Sequence, residues 1–166
     1  MKQKQQIHAV IGVWHRAAST YYVRRSTEMQ NYPGVWSLFS IQFQPWELTD
    51  PKQLGGVIDE LFRRMSRERL GGVPIEVIKY LTSGSSDDNP MDADVHLHLY
   101  EVALADEPRL NPRYYIDGTW LTPEEYEDCC ADQMCGLCLR LWADYAWLNG
   151  YTNRPFLLPS VRSTTT

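Results

Sequence analysis

The fold is decided by residues 32–72, YPGVWSLFSIQFQPWELTDPKQLGGVIDELFRRMSRERLGG. Pro33 and Gly34 predict a turn, because proline pre-sets φ and glycine accepts a positive φ. The β-branched and aromatic residues of 35–43 predict a strand after this turn. Apolar residues then recur at three- and four-residue spacing, at Leu54, Val57, Ile58, Leu61, Phe62 and Met65. This spacing predicts a helix with one buried face, and Gly71 predicts its end.

The composition predicts one globular domain. The chain has 166 residues, of which 43% are hydrophobic and 12% are aromatic, which is enough for a single core. A net charge of -5 gives no general basic surface, so binding to extended nucleic acid is not expected. No run approaches the roughly 18 apolar residues of a membrane helix, and the first residues lack the apolar core of a secretion signal. We therefore expect a cytoplasmic protein with no membrane partner.

The remaining segments predict strands around two helices. The predicted strands are residues 7–14, 21–25, 73–81, 93–105 and 114–121, with the second returning from the first as a hairpin. Residues 82–92 predict a flexible acidic loop. Thr122 and Pro123 predict the start of a long helix that continues to about Leu148. This order predicts an α/β/α sandwich around a mixed sheet, with a domain at 1–150 and an extended tail at 151–166.

Four cysteines lie in the predicted closing helix, at Cys129, Cys130, Cys135 and Cys138. The Cys-x-x-Cys spacing of the last two is typical of zinc and redox sites. A helix, however, places the thiols of Cys135 and Cys138 on one apolar stripe with Ala131, Trp142 and Tyr145. Reduced cysteine is a good small core residue, so this pattern favours buried thiols over a metal or redox site.

Three short stretches and the central helix together resemble the Nudix superfamily. The stretches are VRRS at 23–26, YPGVW at 32–36 and WLTPEE at 120–125, and the resemblance covers roughly residues 7–125. The family signature is a strand-loop-helix box: glycine, five residues, glutamate, seven residues, then Arg-Glu-aliphatic-x-Glu-Glu-x-Gly. The resemblance implies a Nudix-like α/β/α sandwich.

The box of this chain is degenerate. Ile41 stands at the opening glycine, Glu47 is retained, and Arg64 follows Glu47 by seventeen residues (64 − 47) where the pattern has eight. About nine residues are therefore inserted within 48–58. In the helix, Glu68 and Gly71 also match, whereas Met65, Ser66 and Arg69 replace a glutamate, an aliphatic residue and a glutamate.

The resemblance implies a chemistry that these replacements weaken. Family members typically hydrolyse a nucleoside diphosphate linked to another group, with Mg²⁺ held by the box glutamates. Glu68 and Glu47 are the remaining candidates for catalysis and for metal binding. We expect them to bind Mg²⁺ or Mn²⁺ only weakly, because Met65 offers a neutral sulfur and Arg69 places a cation at a ligand position.

The same helix suggests binding without a metal. Arg64 and Arg69 at box positions, with Arg25 at the arginine that precedes the box in the family, can bind phosphate oxygens directly. Trp36, with Phe43 and Trp46, is a candidate for stacking on a nucleobase. The alternative is that the arginines only solvate the helix or pair with neighbouring carboxylates, and that the aromatic residues belong to the core.

Two further patterns have weaker functional interpretations. His96 and His98 share one strand face, where both can reach a metal, but no third ligand is identifiable, which favours a histidine pair without metal. Acidic residues near the predicted loop suit a solvated surface better than a cation site, at Asp87, Asp88, Asp92 and Asp94.

Three functions stay open at this point. The favoured one is recognition of a nucleotide-like small molecule or diphosphate-containing ligand without ordinary Mg²⁺-dependent hydrolysis. The second is a divergent hydrolase of a nucleoside-diphosphate-linked substrate. The third is a structural subunit that forms a homodimer or docks on a protein partner through aromatic anchors at Trp142, Trp147, Tyr151 and Phe156.

Overall fold

The computed structural model describes residues 4–47, 54–89, 91–130, 133 and 136–156. Within these ranges the strands are β1 (Gln6–Val13), β2 (His15–Arg16), β3 (Ser19–Arg25), β4 (Trp36–Ser37), β5 (Ser40–Gln42), β6 (Ile75–Ser86), β7 (Asp94–Leu104) and β8 (Tyr115–Leu121). The helices are α1 (Leu54–Arg69), α2 (Pro123–Cys129) and α3 (Leu137–Leu148), with a 3-10 turn at Pro45–Glu47. None of these helices combines the length and apolar character needed to cross a membrane. The cytoplasmic location stays a prediction.

The first sheet is mixed and has the strand order β5-β1-β7-β6. β1 runs parallel to β7, with Val10 beside His98, and antiparallel to β5, with Val10 beside Ile41. The first predicted strand is therefore a central strand of this sheet. The predicted loop at 82–92 is wrong in its first half, because β6 continues to Ser86 along β7. Pairing with a long neighbouring strand overrides the low strand propensity of its serines and glycine.

The second sheet is built on β3, which pairs with β2, β4 and β8. The predicted hairpin between the first two long strands is wrong: β3 returns against the two-residue strand β2 and not against β1. The predicted strand at 35–43 is also divided. β4 joins the second sheet and β5 joins the first, with the buried side chains of Leu38 and Phe39 between them. This segment therefore carries the chain from one sheet to the other.

Helices cover both faces of the first sheet. α1 buries Ile58, Leu61, Phe62 and Met65 against a cluster that includes Val10, Ile41 and Val102. α3 buries Leu139 and Trp142 on the other face, against Ala9 and Leu97. The predicted α/β/α sandwich is thus confirmed. The end of α1 is also as predicted, because Gly71 adopts a φ of 73°, which favours glycine.

The closing segment contains two helices, so the long helix predicted from Thr122 to about Leu148 is wrong. The predicted start is correct: the Thr122 hydroxyl accepts from the Glu125 backbone N–H, and the Glu125 carboxylate accepts from that of Thr122. Between the two helices, the Gln133 side chain accepts from the Trp36 N–H at 2.8 Å and donates to the Trp36 carbonyl at 2.9 Å. These contacts tie the connection to β4. Gly136 is extended, with ψ 174°, and α3 begins after it.

The burial of the closing segment differs from the predicted pattern at several residues. Cys130 is buried and Cys138 is half-buried, as predicted for core thiols, and burial raises the pKa of Cys138. Cys129 is exposed, whereas Ala131 and Cys135 lie outside the described residues. Trp142 is only 1% exposed, so its predicted role as a partner anchor is wrong.

The first residues of the predicted tail pack against the domain. The Tyr151 hydroxyl donates to Glu101 at 2.7 Å, and Arg154 pairs with Glu124 and Glu127 of α2. The extended appendage predicted for this part of the chain is therefore wrong at 151–156. Residues 157–166 lie outside the described part of the chain, and the domain boundary at 150 stays a prediction.

Candidate functional site

Two of the replaced box positions on α1 are structural. Met65 is completely buried in the core beneath α1. Ser66 is also buried, and its hydroxyl donates to the carbonyl of Val73, which fixes the chain that leaves the helix. Met65 does not reach the surface, and Ser66 only borders the groove between α1 and β6. The helix therefore uses these positions for packing and for satisfying a buried carbonyl group.

The carboxylates of both candidate glutamates lie near the guanidinium of Arg64. Nη2 of Arg64 lies 2.8 Å from Oε1 of Glu47, and Nη1 lies 4.0 Å from Oε2 of Glu68. The same carboxylate oxygen of Glu47 accepts from the Gln44 backbone N–H at 2.6 Å, and Arg64 also donates to the Gln42 carbonyl at 2.8 Å. The side chains of Arg64 and Glu47 are 14% and 10% exposed, so this pair is well shielded from water. The structure brings Glu47 and Glu68 together, but through a cation.

These residues do not fit a Mg²⁺ site. Mg²⁺ requires several oxygen ligands in near-octahedral geometry, commonly carboxylates with phosphate and water. One oxygen of Glu47 is already bound by two donors, Met65 is in the core, and Arg69 supplies a positive charge. Across the described ranges, no three histidine, cysteine, aspartate or glutamate side chains are grouped so as to hold a metal ion.

The guanidinium of Arg69 packs against two tyrosine rings, and one of its N–H donors has no partner among the described residues. Its Nη1 donates to the Ser40 carbonyl at 2.9 Å and to the Tyr115 hydroxyl at 3.3 Å. Its guanidinium carbon lies 4.2 Å from the centre of the Tyr114 ring. Its Nε is buried and has no hydrogen-bond partner among the described residues. A buried donor without a partner is costly, so this guanidinium is only partly satisfied by the protein.

Arg25 of β3 carries a second guanidinium, whose charge interacts with that of Arg69. It donates to the carbonyls of Asn31 and Tyr32, which holds the turn before Pro33. Burial lowers the pKa of Arg25, and the nearby charge of Arg69 acts in the same direction. Within the described residues, neither arginine forms an ion pair. Two half-buried cations that repel each other create a local preference for an anion.

The aromatic candidates have different surroundings. Trp36 packs on the core face that α3 covers, and its backbone is bonded to Gln133. Trp46 is 70% exposed and immediately precedes Glu47 in the 3-10 turn. The structure therefore leaves Trp46, and not Trp36, exposed next to the Glu47–Arg64 pair.

Two grooves lie away from Arg64 and Arg69. A groove of about 570 Å³ runs between α1 and β6 and is flanked by Arg63 and Arg67. A second groove of about 420 Å³ lies at the end of α3, beside His15, Lys79 and Tyr151. Arg64 and Arg69 instead contact β5, which is the opposite edge strand of the first sheet from β6. Arg64 and Arg69 thus lie along β5 and line neither of these two grooves.

Solved structures share the architecture described above. A MutT protein from Methanosarcina mazei Go1 aligns with a TM-score of 0.66 at 14% sequence identity, over 90% of this chain and 99% of that one. A Nudix hydrolase from Nitrosomonas europaea aligns with a TM-score of 0.65 at 12% identity, over 98% of this chain and all of that one (100%). This chain has the Nudix fold. A UDP-X diphosphatase aligns with a TM-score of 0.60 at 11% identity, over 94% of this chain and 68% of that chain.

The similarity to Nudix structures concerns the fold. No protein-family model matches the chain, and no curated protein matches it. Three-dimensional similarity therefore confirms the predicted fold. At sequence identities of 11–14%, it does not show which functional residues are shared. On α1, the positions that the sequence pattern matches to the three glutamates of the box helix hold Met65, Glu68 and Arg69.

A histidine cluster on the Nudix-fold sheet was missed by the sequence interpretation. His8 of β1 stacks on His96 with ring centres 4.4 Å apart, and its Nδ1 lies 3.4 Å from Nε2 of His98. Burial lowers the pKa values of His8 and His98, and the neighbouring histidines add to this effect. The signal was the shared alternation of the two central strands, which places His8 on the face of His96 and His98 once β1 and β7 are paired.

Proposed function

We propose that this Nudix-fold domain binds a nucleotide or another diphosphate-containing ligand, without ordinary Mg²⁺-dependent hydrolysis. The observation that carries the proposal is the pair of half-buried arginines, Arg25 and Arg69, that have no carboxylate partner among the described residues. A bound phosphate relieves the repulsion between two such cations and satisfies their remaining donors. Arginine–phosphate contacts are strong because both groups are charged and the guanidinium offers paired donors.

Arg64 supports a ligand with more than one phosphate. It contacts β5 two residues beyond the strand position that Arg69 contacts, so the basic surface follows the edge strand rather than a single point. Arg64 is already paired with Glu47, and it adds to binding only through its remaining donors. The name of the UDP-X diphosphatase, which has the same fold, supports a ligand of the nucleoside-diphosphate-linked class.

Trp46 is the proposed contact for the base of such a ligand. Its exposed indole is adjacent in sequence to Glu47 and thus to the pair formed with Arg64. Stacking on an aromatic ring contributes about 1–3 kcal/mol per base and tolerates different bases. This contact therefore adds affinity for a nucleotide over pyrophosphate alone, without defining which base is preferred.

The test measures binding and turnover in parallel. Thermal unfolding is followed with pyrophosphate, nucleoside diphosphates and nucleotide sugars, each with EDTA and with Mg²⁺ or Mn²⁺, while cleavage products are quantified. We expect a ligand-dependent rise in the unfolding temperature that persists in EDTA, with no cleavage. Metal-dependent cleavage that is abolished by Glu68→Gln would instead establish the divergent hydrolase. The absence of any stabilisation, together with a mass above that of the monomer, would favour the structural subunit.

A further inference from the structure

β6 (Ile75–Ser86) forms the edge of the first sheet opposite β5. Within the described ranges, β7 is its one strand partner, so the backbone N–H and carbonyl groups along its outer side have no strand to pair with. The strand has 12 residues and contains no proline, whereas exposed edge strands are commonly short or interrupted by proline. This edge is therefore available for pairing with another strand.

Large apolar side chains are exposed on the first half of this edge. Ile78 and Tyr80 are 49% and 53% exposed. Ile75 and Val77 of the same strand line the groove between α1 and β6. Apolar surface next to an open backbone edge is typical of a site where a second polypeptide strand binds.

A shift of register inside β6 places two opposite charges on one face. Glu76 pairs with Ala103, and Lys79 pairs with Glu101. Ala103 and Glu101 are separated by one residue of β7, so they share a face of the sheet. Glu76 and Lys79 therefore share that face although their numbers differ by three (79 − 76), because Ile78 lies at the irregularity between them.

The same shift places two apolar side chains on the opposite face. Ile75 pairs with Leu104, and Tyr80 pairs with Tyr100. Leu104 and Tyr100 are an even number of residues apart on β7, so alternation puts both on the face that α1 covers. The apolar pair of β6 thus faces α1, and the charged pair faces the other side of the sheet.

Residues 75–80 are complementary to a second copy of themselves. One antiparallel register places Glu76 opposite the partner's Lys79. The same register places Ile75 opposite the partner's Tyr80, and in each pair the two side chains share a face, as directly opposite residues of a sheet must. We propose that two copies of this chain form a symmetric dimer by pairing residues 75–80 of β6, which joins their two four-stranded sheets. The symmetry forms each contact twice.

The charges favour a second copy over an unrelated peptide. Glu76 is exposed and forms no ion pair within the described part of the chain. Lys79 is also exposed, with its ammonium 5.8 Å from the centre of the Tyr151 ring. In the dimer, Lys79 gains the partner's Glu76 on one side and keeps Glu101 on the other. A uniformly acidic or basic strand would match one of the two charges and repel the other.

This interface is separate from the proposed anion site. Arg64 and Arg69 contact β5, at the other edge of the first sheet. Dimerisation through β6 therefore leaves both guanidiniums in place. Variants that abolish the dimer should keep the wild-type affinity for pyrophosphate.

The test measures the mass of the untagged protein by sedimentation equilibrium over a wide range of protein concentrations. We expect a reversible monomer–dimer equilibrium for the wild type. Glu76→Lys and Lys79→Glu each place like charges opposite one another, so each should weaken dimerisation by about tenfold or more. An equimolar mixture of the two variants should dimerise again, because every lysine then faces a glutamate. The matched control is Glu28→Lys, at an exposed residue that follows β3, and it should dimerise like the wild type.

Three results of this experiment would overturn the proposal. The first is a wild-type protein that is monomeric at every concentration. The second is a dimer that Glu76→Lys leaves intact. The third is a mixture of the two variants that stays monomeric although thermal unfolding shows that both are folded.

A second measurement, hydrogen exchange of the wild-type protein, covers the case in which a variant fails to fold. The outward-facing amides of residues 75–80 should exchange more slowly as the protein concentration rises. Those of β5 (Ser40–Gln42) should exchange at the same rate at every concentration. Concentration-dependent protection confined to another part of the chain would refute this interface.

Discussion

Replacing Arg69 by methionine tests the proposed anion site most directly. Methionine keeps an unbranched apolar stem beside Tyr114 but removes every donor and the positive charge. Among the described residues, Arg69 bonds through Nη1 alone, to Ser40 and Tyr115, which leaves the donors on Nη2 for the proposed ligand. The variant therefore removes both a charge-assisted hydrogen bond to phosphate and the bond that fastens α1 to β5.

The two losses have different sizes and can be measured separately. A hydrogen bond to a charged group contributes about 1.5–3 kcal/mol, which corresponds to a Kd increase of about 10- to 150-fold for a diphosphate ligand. Loss of the bond to the Ser40 carbonyl costs about 1 kcal/mol of stability, or about 2–4 °C in Tm for a domain of this size. The expected loss of affinity is therefore much larger than the small loss of folded protein could cause.

The assay is calorimetric titration with a nucleoside diphosphate in EDTA, accompanied by thermal unfolding of each variant. Arg63→Met is the matched control, because Arg63 lies on the same helix, is 72% exposed and faces Glu60. We expect less than a twofold change in Kd for this control. An equal loss of ligand affinity in both variants would show that the overall positive charge of α1, and not Arg69 itself, attracts the ligand. Unchanged affinity in Arg69→Met would refute the site.

Three further predictions concern the core and the histidines. Met65→Glu restores a box glutamate but buries an unpaired carboxylate, so chemical denaturation should show a loss of at least about 3 kcal/mol, and Mg²⁺ should not induce cleavage. A stable, metal-dependent enzyme would contradict this. Gly12→Ala places a Cβ 2.2 Å from Cε2 of Phe39 and should cost about 1–3 kcal/mol in the same measurement; no loss would show that the ring moves freely. Because burial lowers the pKa values of His8 and His98 from 6.5, the unfolded chain binds more protons below that pH, and the free energy of unfolding should fall between about pH 7 and pH 5. The double variant His8→Gln/His98→Gln should flatten this dependence, and an unchanged slope would exclude the cluster as its source.

The parts of the fold that local sequence determines were predicted correctly. The period of apolar residues in α1, the glycine at its end and the alternation of β7 each follow from one short segment. The wrong predictions concern segments whose structure depends on pairing with strands that are distant in sequence. Residues 35–43 are strand-forming throughout, and only pairing with β3 and β1 divides them between two sheets. The extension of β6 through serines and a glycine likewise depends on β7.

The break in the closing helix and the histidine cluster had signals that were not decisive alone. Gly136 is a poor helix residue, but the surrounding apolar stripe predicts a continuous helix until Gln133 is seen to bond with Trp36. His8 is separated from His98 by ninety residues (98 − 8), so its place in the cluster depends on the parallel pairing of two strands. Spacing along one strand could identify only His96 and His98.

The residues at the altered box positions fit the present structure together, and their contacts disfavour a Mg²⁺ site. Freeing Glu47 for a cation would break its pair with Arg64 and leave a shielded guanidinium without its counter-ion, which is costly. A glutamate at Met65 would have to enter the core, and a glutamate at Arg69 would face the Ser40 carbonyl that the guanidinium now contacts. Each single reversal toward the Nudix pattern therefore creates a new unfavourable contact. A Mg²⁺ site built on these positions would therefore need several changes together, whereas the proposed anion site uses arginines that the chain already has.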